Sequence, residues 1–363
     1  MLDVRGGACF TARDMGDIGQ RKADHIAICA NEDVGFRGRT TLLECVELIH
    51  DSLPELATSD LDPSVTLFGK RLRAPLIIAA MTGGTAEAAE INHQLAAIAE
   101  KRGYGFGLGS QRAMQKLPET AWTYDVRKHA PTTLVLGNVG VVQARQQPTD
   151  VLKRLVTDIG ADALCVHMNP AMELIQSDGD RDFRGCLATY TRLVNELGLP
   201  VIAKETGSGI GPRTANRLRE VGVRHVDVSG AGGTSWVGVE TLRADTGQAR
   251  AVGERFWDWG VPTGASVAFC RRAGHEVIAT GGIRNGLDVA RSIALGAKAA
   301  GIARPVLQAL REGGQAGAES YLDTVERELH TVMLLTGSRT VAELERAPRV
   351  VRGELTQWLA LIS

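Results

Sequence analysis

Eight short apolar runs recur along the chain with helix-compatible stretches between them, and this repetition limits the fold more than any other property of the sequence. They are 76–80 (LIIAA), 104–108 (YGFGL), 133–136 (TLVL), 163–167 (ALCVH), 201–204 (VIAK), 225–229 (HVDVS), 276–280 (EVIAT) and 299–303 (AAGIA). Continuous rather than alternating apolar runs are what a parallel sheet covered on both faces requires. Eight consecutive βα units favour closure into a (β/α)8 TIM barrel over an open sheet. One barrel of about 250 residues with additions at both ends accounts for the length. We therefore expect an N-terminal extension and cap segment over 1–70, the barrel over 71–312 and C-terminal helices over 313–363, the last at 316–336, 341–345 and 353–361. Helices at 89–101 and 287–295, the second opened by Asn285 and Gly286, would sheathe the barrel. The connection 230–262 after the sixth strand exceeds the usual βα loop of about 2 to 6 residues. With Trp236, Trp257 and Trp259 it reads as a functional loop or lid, or as aromatics packing the rim.

Composition narrows the partners. A net charge of −1 carries no electrostatic footprint for nucleic acid. No apolar run approaches the roughly 18 residues of a membrane span, and the charged N-terminus lacks the core of a signal peptide. A cytoplasmic protein with a small-molecule partner is expected. The six cysteines, Cys9, Cys29, Cys45, Cys165, Cys186 and Cys270, lie far apart with no C-x-x-C, which argues for reduced thiols rather than a zinc site.

In such a barrel the chemistry sits at the C-terminal ends of the strands, and the loops after the seventh and eighth strands cradle phosphate. The segments TGGIRNG (280–286) and AGIARP (300–305) stand at those two places. The other strand ends carry a crowd of polar groups: Met81, Thr82 and Gly83; Ser110 and Arg112; Asn138; His167, Asn169 and Glu173; Lys204 and Glu205; Ser229 and Thr234. Lys204 follows VIA in a doubly covered strand, and a lysine there needs a partner. An electron-rich ring such as a reduced flavin, negative at its pyrimidine edge, would be one. His167 and Asn169 share a strand face, and Glu173 in the next turn suits a hard cation such as Mg2+ bridging to phosphate oxygens. Arg21, Lys22, His25 and Arg112 add cationic donors for a substrate with two phosphates.

With those residues in view, the chain resembles the type 2 isopentenyl diphosphate isomerases, FMN-dependent barrel enzymes of isoprenoid biosynthesis. The resemblance runs through RKADHI (21–26), AAMTGG, GSQR, GNVG, HMNPAMELIQSDGDRDFRG, VIAKETGSGIG, DVSGAGGTSW, DWGVPT, TGGIRNGLDVARSIALGA and GIAR. It implies FMN, active in its reduced form, against Met81, Thr82, Gly83, Ser110, Asn138, Lys204, Ser229 and Thr234, with its phosphate at Gly282, Arg284, Ala303 and Arg304. It implies a prenyl diphosphate at Arg21, Lys22, His25, Ser110, Arg112, His167 and Asn169, Mg2+ at Glu173, NADPH or another reductant, and a homo-oligomer, tetramer or octamer. His167, Asn169, Met172 and Lys204 would be the catalytic group.

The family pattern H-x-N-x-x-Q-E departs here at Met172, which stands where the glutamine is usual. A thioether neither donates a proton nor bonds strongly, and it makes the pocket more apolar and adaptable. The leading expectation is interconversion of isopentenyl and dimethylallyl diphosphate. The alternative that Met172 suggests is isomerisation or cyclisation of a longer prenyl diphosphate. A flavin oxidoreductase like the 2-hydroxy-acid oxidases, or a non-catalytic flavoprotein, ranks below both. The N-terminal extension is longer than usual and is expected to be disordered or to pack on a neighbour.

Overall fold

The computed structural model describes residues 12–362, with side chains over 19–361. Eight parallel strands form a closed barrel: β1 Leu76–Ile78, β2 Gly105–Gly107, β3 Val135–Gly140, β4 Ala163–Met168, β5 Val201–Glu205, β6 His225–Asp227, β7 Glu276–Ala279 and β8 Ala297–Ile302, which pairs back onto β1. This is the expected (β/α)8 architecture. β3 differs in extent, beginning at Val135 and reaching Gly140, so Asn138 lies within the strand. Five successive pairings with β4, from Leu136 opposite Ala163 to Gly140 opposite His167, hold its glycine-rich end extended against a poor intrinsic propensity.

Side chains of a strand alternate between the barrel interior and the sheath of helices. Ile77, Leu136, Cys165, Ile202, Ile278 and Ala299 point inward and form one apolar layer. The hairpin of strands Val65–Leu67 and Lys70–Leu72 closes the barrel from below by packing Leu67 and Leu72 into that layer. The outward residues meet the helices in a second, larger core. Sheathing helices begin and end where the capping chemistry requires. Ala86–Arg102 starts at Thr85, whose hydroxyl accepts from Ala88 N–H at 3.1 Å, and stops at Gly103 with a φ of 68°. Gly286–Ala294 starts at Asn285, whose Oδ1 accepts from Asp288 N–H at 2.7 Å.

Three segments depart from expectation. The connection after β6 folds into two helices, Trp236–Arg243 and Gly247–Phe256, capped by Ser235 and Thr246. The C-terminal helix begins earlier, spanning Arg304–Leu335 with a break at Gly314, where φ is 60°. Residues 12–31 form one helix, Ala12–Asn31, seated on the barrel's own C-terminal mouth. Cys9 and the rest of 1–11 lie outside the described residues. The five cysteines within them are free. No helix among the described residues is long and apolar enough to cross a membrane.

If the hairpin seals the barrel floor, Leu72→Ala, at a fully buried position, should lower unfolding free energy by about 2 to 5 kcal/mol in urea titration. A loss within about 0.5 kcal/mol would show that the floor tolerates an open plug.

Candidate active site

One step further along each strand, the period of two places the next inward residues above the apolar layer: Asn138 after Leu136, His167 after Cys165, Lys204 after Ile202 and Thr280 after Ile278. These groups form the floor of a cleft at the C-terminal mouth, with about 1930 Å3 of atom-free space including its opening. Met81, Thr82, Ser110, Arg112, Asn169, Met172, Glu173, Ser229, Thr234, Gly282, Arg284, Ala303 and Arg304 line its walls, and Arg21, Lys22 and His25 its roof. Of the residues expected to bind cofactor, substrate or metal, Gly83 alone does not line it. A Cβ there would stand 2.1 Å from Tyr124 Cε1, so Gly83 serves the packing of that ring.

The floor is organised by charge. Lys204 Nζ lies 3.0 Å from Asp227 Oδ2, both side chains nearly out of solvent. The register of β5 and β6 sets these two residues opposite each other. Asp227 Oδ1 accepts a hydrogen bond from Thr280 Oγ1. Lys204 thus has a partner within the protein, a carboxylate that the adjacent strand carries at the same height, and it also borders the cleft. His167 Nδ1 is 2.8 Å from Asn138 Oδ1, while Asn138 Nδ2 donates to Leu108 O. On this network Nδ1 carries the ring proton and Nε2 is an acceptor. Burial, with Lys204, Lys22 and Arg112 nearby, pushes the His167 pKa down to about 3, so the ring is neutral.

The roof is cationic. Its helix presents Arg21, Lys22, His25, Ile26 and Cys29, a spacing that keeps them on one face. Lys22 Nζ donates to Ser110 O at 3.0 Å. Burial, followed by Arg21 and Arg112, lowers its pKa to about 7. His25 Nε2 meets Glu240 Oε1 at 2.7 Å and stands edge-on to Trp236. Arg304 donates through Nε and Nη2 to Cys29 O and Glu32 O, holding the end of the roof helix. Arg284 Nη2 reaches Gly232 O at 3.3 Å. Arg304 is therefore a strut between the last barrel loop and the roof helix, while Arg284 makes one longer bond at the rim.

Behind them, the turn after β7 approaches its neighbours backbone to backbone. Gly281 and Gly282 have φ of 93° and 76°, and a Cβ on Gly233 would stand 2.3 Å from Gly282 N. Turns of this kind aim main-chain N–H groups at an anion. Glu205 folds back on its own loop: Oε2 accepts from the N–H groups of Thr206, Gly207, Ser208 and Gly209. Burial nonetheless pushes its pKa up to about 7. Glu173 is buried, with Oε1 bonded to Asn169 Nδ2 and Oε2 to Asp180 N–H, each at 2.7 Å. Among the described residues no group of three His, Cys, Asp or Glu side chains converges to hold a metal.

Asp227 and Glu240 are polar groups of the site that the sequence pattern does not single out. For Asp227 a signal was nonetheless present, because an acid inside a doubly covered strand needs a partner as much as Lys204 does. Glu240 gave none; its burial beneath His25 depends on how the connection after β6 folds.

Residues 17–173 and 123–351 match the family described as FMN-dependent dehydrogenase, which sets this barrel among the flavoproteins. Solved structures with the same fold include a mandelate oxidase mutant with a monooxide FMN adduct, at a TM-score of 0.62, 20% identity and coverage of 93% of this chain and 100% of that one. A lactate oxidase of Pediococcus acidilactici gives 0.66, 16%, 93% and 94%. Within this class the chain belongs to the type 2, FMN-dependent isopentenyl-diphosphate delta-isomerase family. It is 43% identical over 345 residues to the isopentenyl-diphosphate delta-isomerase of Nostoc sp., covering 94% of this chain and 98% of the relative. The Methanopyrus kandleri relative of the same name is 42% identical, with 94% of each covered. FMN is the cofactor of this family, and the glycine-rich turn after β7, Lys204 on the floor and the volume of the cleft fit it.

If Lys22 grips an anion through its charged form, affinity should be greatest below about pH 7 and fall as pH rises through that value. Calorimetric titration of the FMN-loaded protein with inorganic pyrophosphate from about pH 6 to about pH 9 should show this decline. Lys22→Met should flatten it; an unchanged slope in the variant would remove Lys22 from the anion site.

Proposed function

We propose that this protein interconverts isopentenyl diphosphate and dimethylallyl diphosphate, using reduced FMN and Mg2+. The observation that carries the reading is the concentration of buried positive charge in the cleft. Burial, then Arg21 and Arg112, lower the Lys22 pKa, and burial, then Lys204, Lys22 and Arg112, keep His167 neutral. Cations held together at such cost are stabilised when a polyanion arrives.

The roof cations and Ser110 bind the diphosphate, with His167 and Asn169 below them. Glu173 would contribute one carboxylate to Mg2+, an ion that would help neutralise the diphosphate. The fit is to a metal carried in with substrate, since among the described residues no group of three His, Cys, Asp or Glu side chains converges to hold one. When bound, reduced FMN supplies an electron-rich ring beside the double bond and a site of proton exchange. Ile26, Cys29 and Met172 give the apolar tail its surroundings, and the roof helix excludes water from the reacting carbons. Thr82, Asn138 and Ser229 orient the ring, Met81 and Thr234 flank it, and the turns at Gly282, Arg284, Ala303 and Arg304 hold its phosphate. NADPH or another reductant charges the cofactor, and the enzyme works as a homo-oligomer.

Met172 favours a second reading. Its sulfur lies 3.8 Å from Asn169 Nδ2, in the wall where the substrate lies, and an adaptable thioether suits a longer prenyl diphosphate isomerised or cyclised by the same cofactor.

Purified protein with FMN, a reductant, Mg2+ and isopentenyl diphosphate should form dimethylallyl diphosphate, followed by mass spectrometry. Glu173→Gln should cut turnover about 10² to 10⁴-fold and shift the Mg2+ requirement upward. No product from the natural chain, but product from Met172→Gln, would replace the short substrate with the longer one.

A further inference from the structure

Asp227 is a charged group of the barrel floor to which the proposed reaction assigns no task. It lies on β6, directly beside Lys204 on β5, at a separation of 3.0 Å. Side-chain exposures of 8% for the lysine and 7% for the acid leave almost no solvent to screen the pair. Thr280, at the end of β7, donates its hydroxyl to Asp227 Oδ1 and accepts from Ser229 N–H at 3.1 Å. A line of bonds therefore crosses three strands and ends in an ammonium at the cleft. Lys204 and Thr280 both border the cleft, and Asp227 stands behind them. A buried ion pair recovers little beyond its own desolvation, so stability alone does not account for this one.

We propose that Asp227 is a positioning residue for the cofactor: it fixes the Lys204 ammonium at the pyrimidine edge of the flavin and offsets part of its charge. This role rests on the reading that Lys204 faces that edge of the ring. Reduction places negative charge there, which Lys204 favours and Asp227, one ion pair further away, opposes. The nearer charge acts more strongly, so the reduced form is favoured only in part and its ring stays electron-rich. Thr280 holds the carboxylate on the lysine side.

The test is the midpoint potential of the flavin in the FMN-loaded full chain, with the relative affinities for oxidised and reduced FMN as a second readout. Asp227→Asn preserves shape and removes the opposing charge. It should raise the preference for reduced over oxidised FMN about tenfold, which is about 30 mV for a two-electron couple. Thr280→Val should shift the potential in the same direction by less, and it decides the matter alone if the Asp227 variant does not fold or bind FMN. Lys204→Met should lower the potential. If Lys204→Met leaves it unchanged, the placement of the flavin is wrong and the role of Asp227 falls with it. If Lys204→Met lowers it while the Asp227 and Thr280 variants leave it unchanged or lower, the placement stands and the role of Asp227 is overturned.

Discussion

Closure of the barrel forces every strand to alternate between an inside and an outside, and the rest of the molecule follows from that alternation. Because successive inward residues are two positions apart, the barrel fills in layers. Ile77, Leu136, Cys165, Ile202, Ile278 and Ala299 make the layer sealed from below by Leu67 and Leu72. Asn138, His167, Lys204, Asp227 and Thr280 stand above it, with nowhere to go but the mouth. The apolar plug matters to the chemistry as well as to stability, since it deprives the polar layer of water from beneath. Burial is the largest cause of the lowered His167 pKa, ahead of Lys204, Lys22 and Arg112.

Charge is then divided between floor and roof. On the floor, Lys204 is matched by Asp227, and the pair is locally neutral. On the roof, Lys22 donates only to main-chain and hydroxyl oxygens, and its neighbours Arg21 and Arg112 repel it. Arg21 has Asp178 at 3.5 Å, a half-exposed carboxylate that screens it weakly. A neutral floor suits a ring whose electron density is to be used, and an under-compensated roof suits a polyanion that must be gripped. The two halves differ because the floor is built on rigid paired strands, while the roof is a helix delivered from outside the barrel.

That helix stays in place through the connection after β6, and each holds the other. Asp24 meets Arg243 and His25 meets Glu240. Further along, Gly35 bridges to Thr234, Arg37 stacks on Trp257, and the N–H groups of Arg37 and Gly38 donate to Asp258. Arg304 ties the C-terminal end of the helix to the start of the last barrel loop. Trp257 is buried by this arrangement, with Nε1 bonded to Gly35 O, while Trp259 remains exposed. The aromatics of the connection thus have separate tasks: Trp236 borders the cleft, Trp257 clamps the N-terminal arm, and Trp259 does neither.

The barrel was legible in the sequence because burial on both faces demands continuous apolar runs, and eight of them are unmistakable. Lys204 was legible for the same reason inverted, a charge where the pattern tolerates none. Its partner was not, since Asp227 is 23 positions away and only the β5–β6 register sets the two side by side. The two helices after β6 were hidden by their glycine-rich start, and their caps at Ser235 and Thr246 are weak signals alone. Arg304 carried a basic residue next to a phosphate-type turn, and only the packed roof helix turned its guanidinium toward Cys29 and Glu32. The sequence by itself determined the closed barrel, the end of it that does chemistry and the residue types gathered there, because these follow from local pattern and period. The tertiary structure alone decided which charges are paired, which are left exposed to an arriving anion and what covers the mouth, because electrostatic pairing depends on distance in space rather than along the chain.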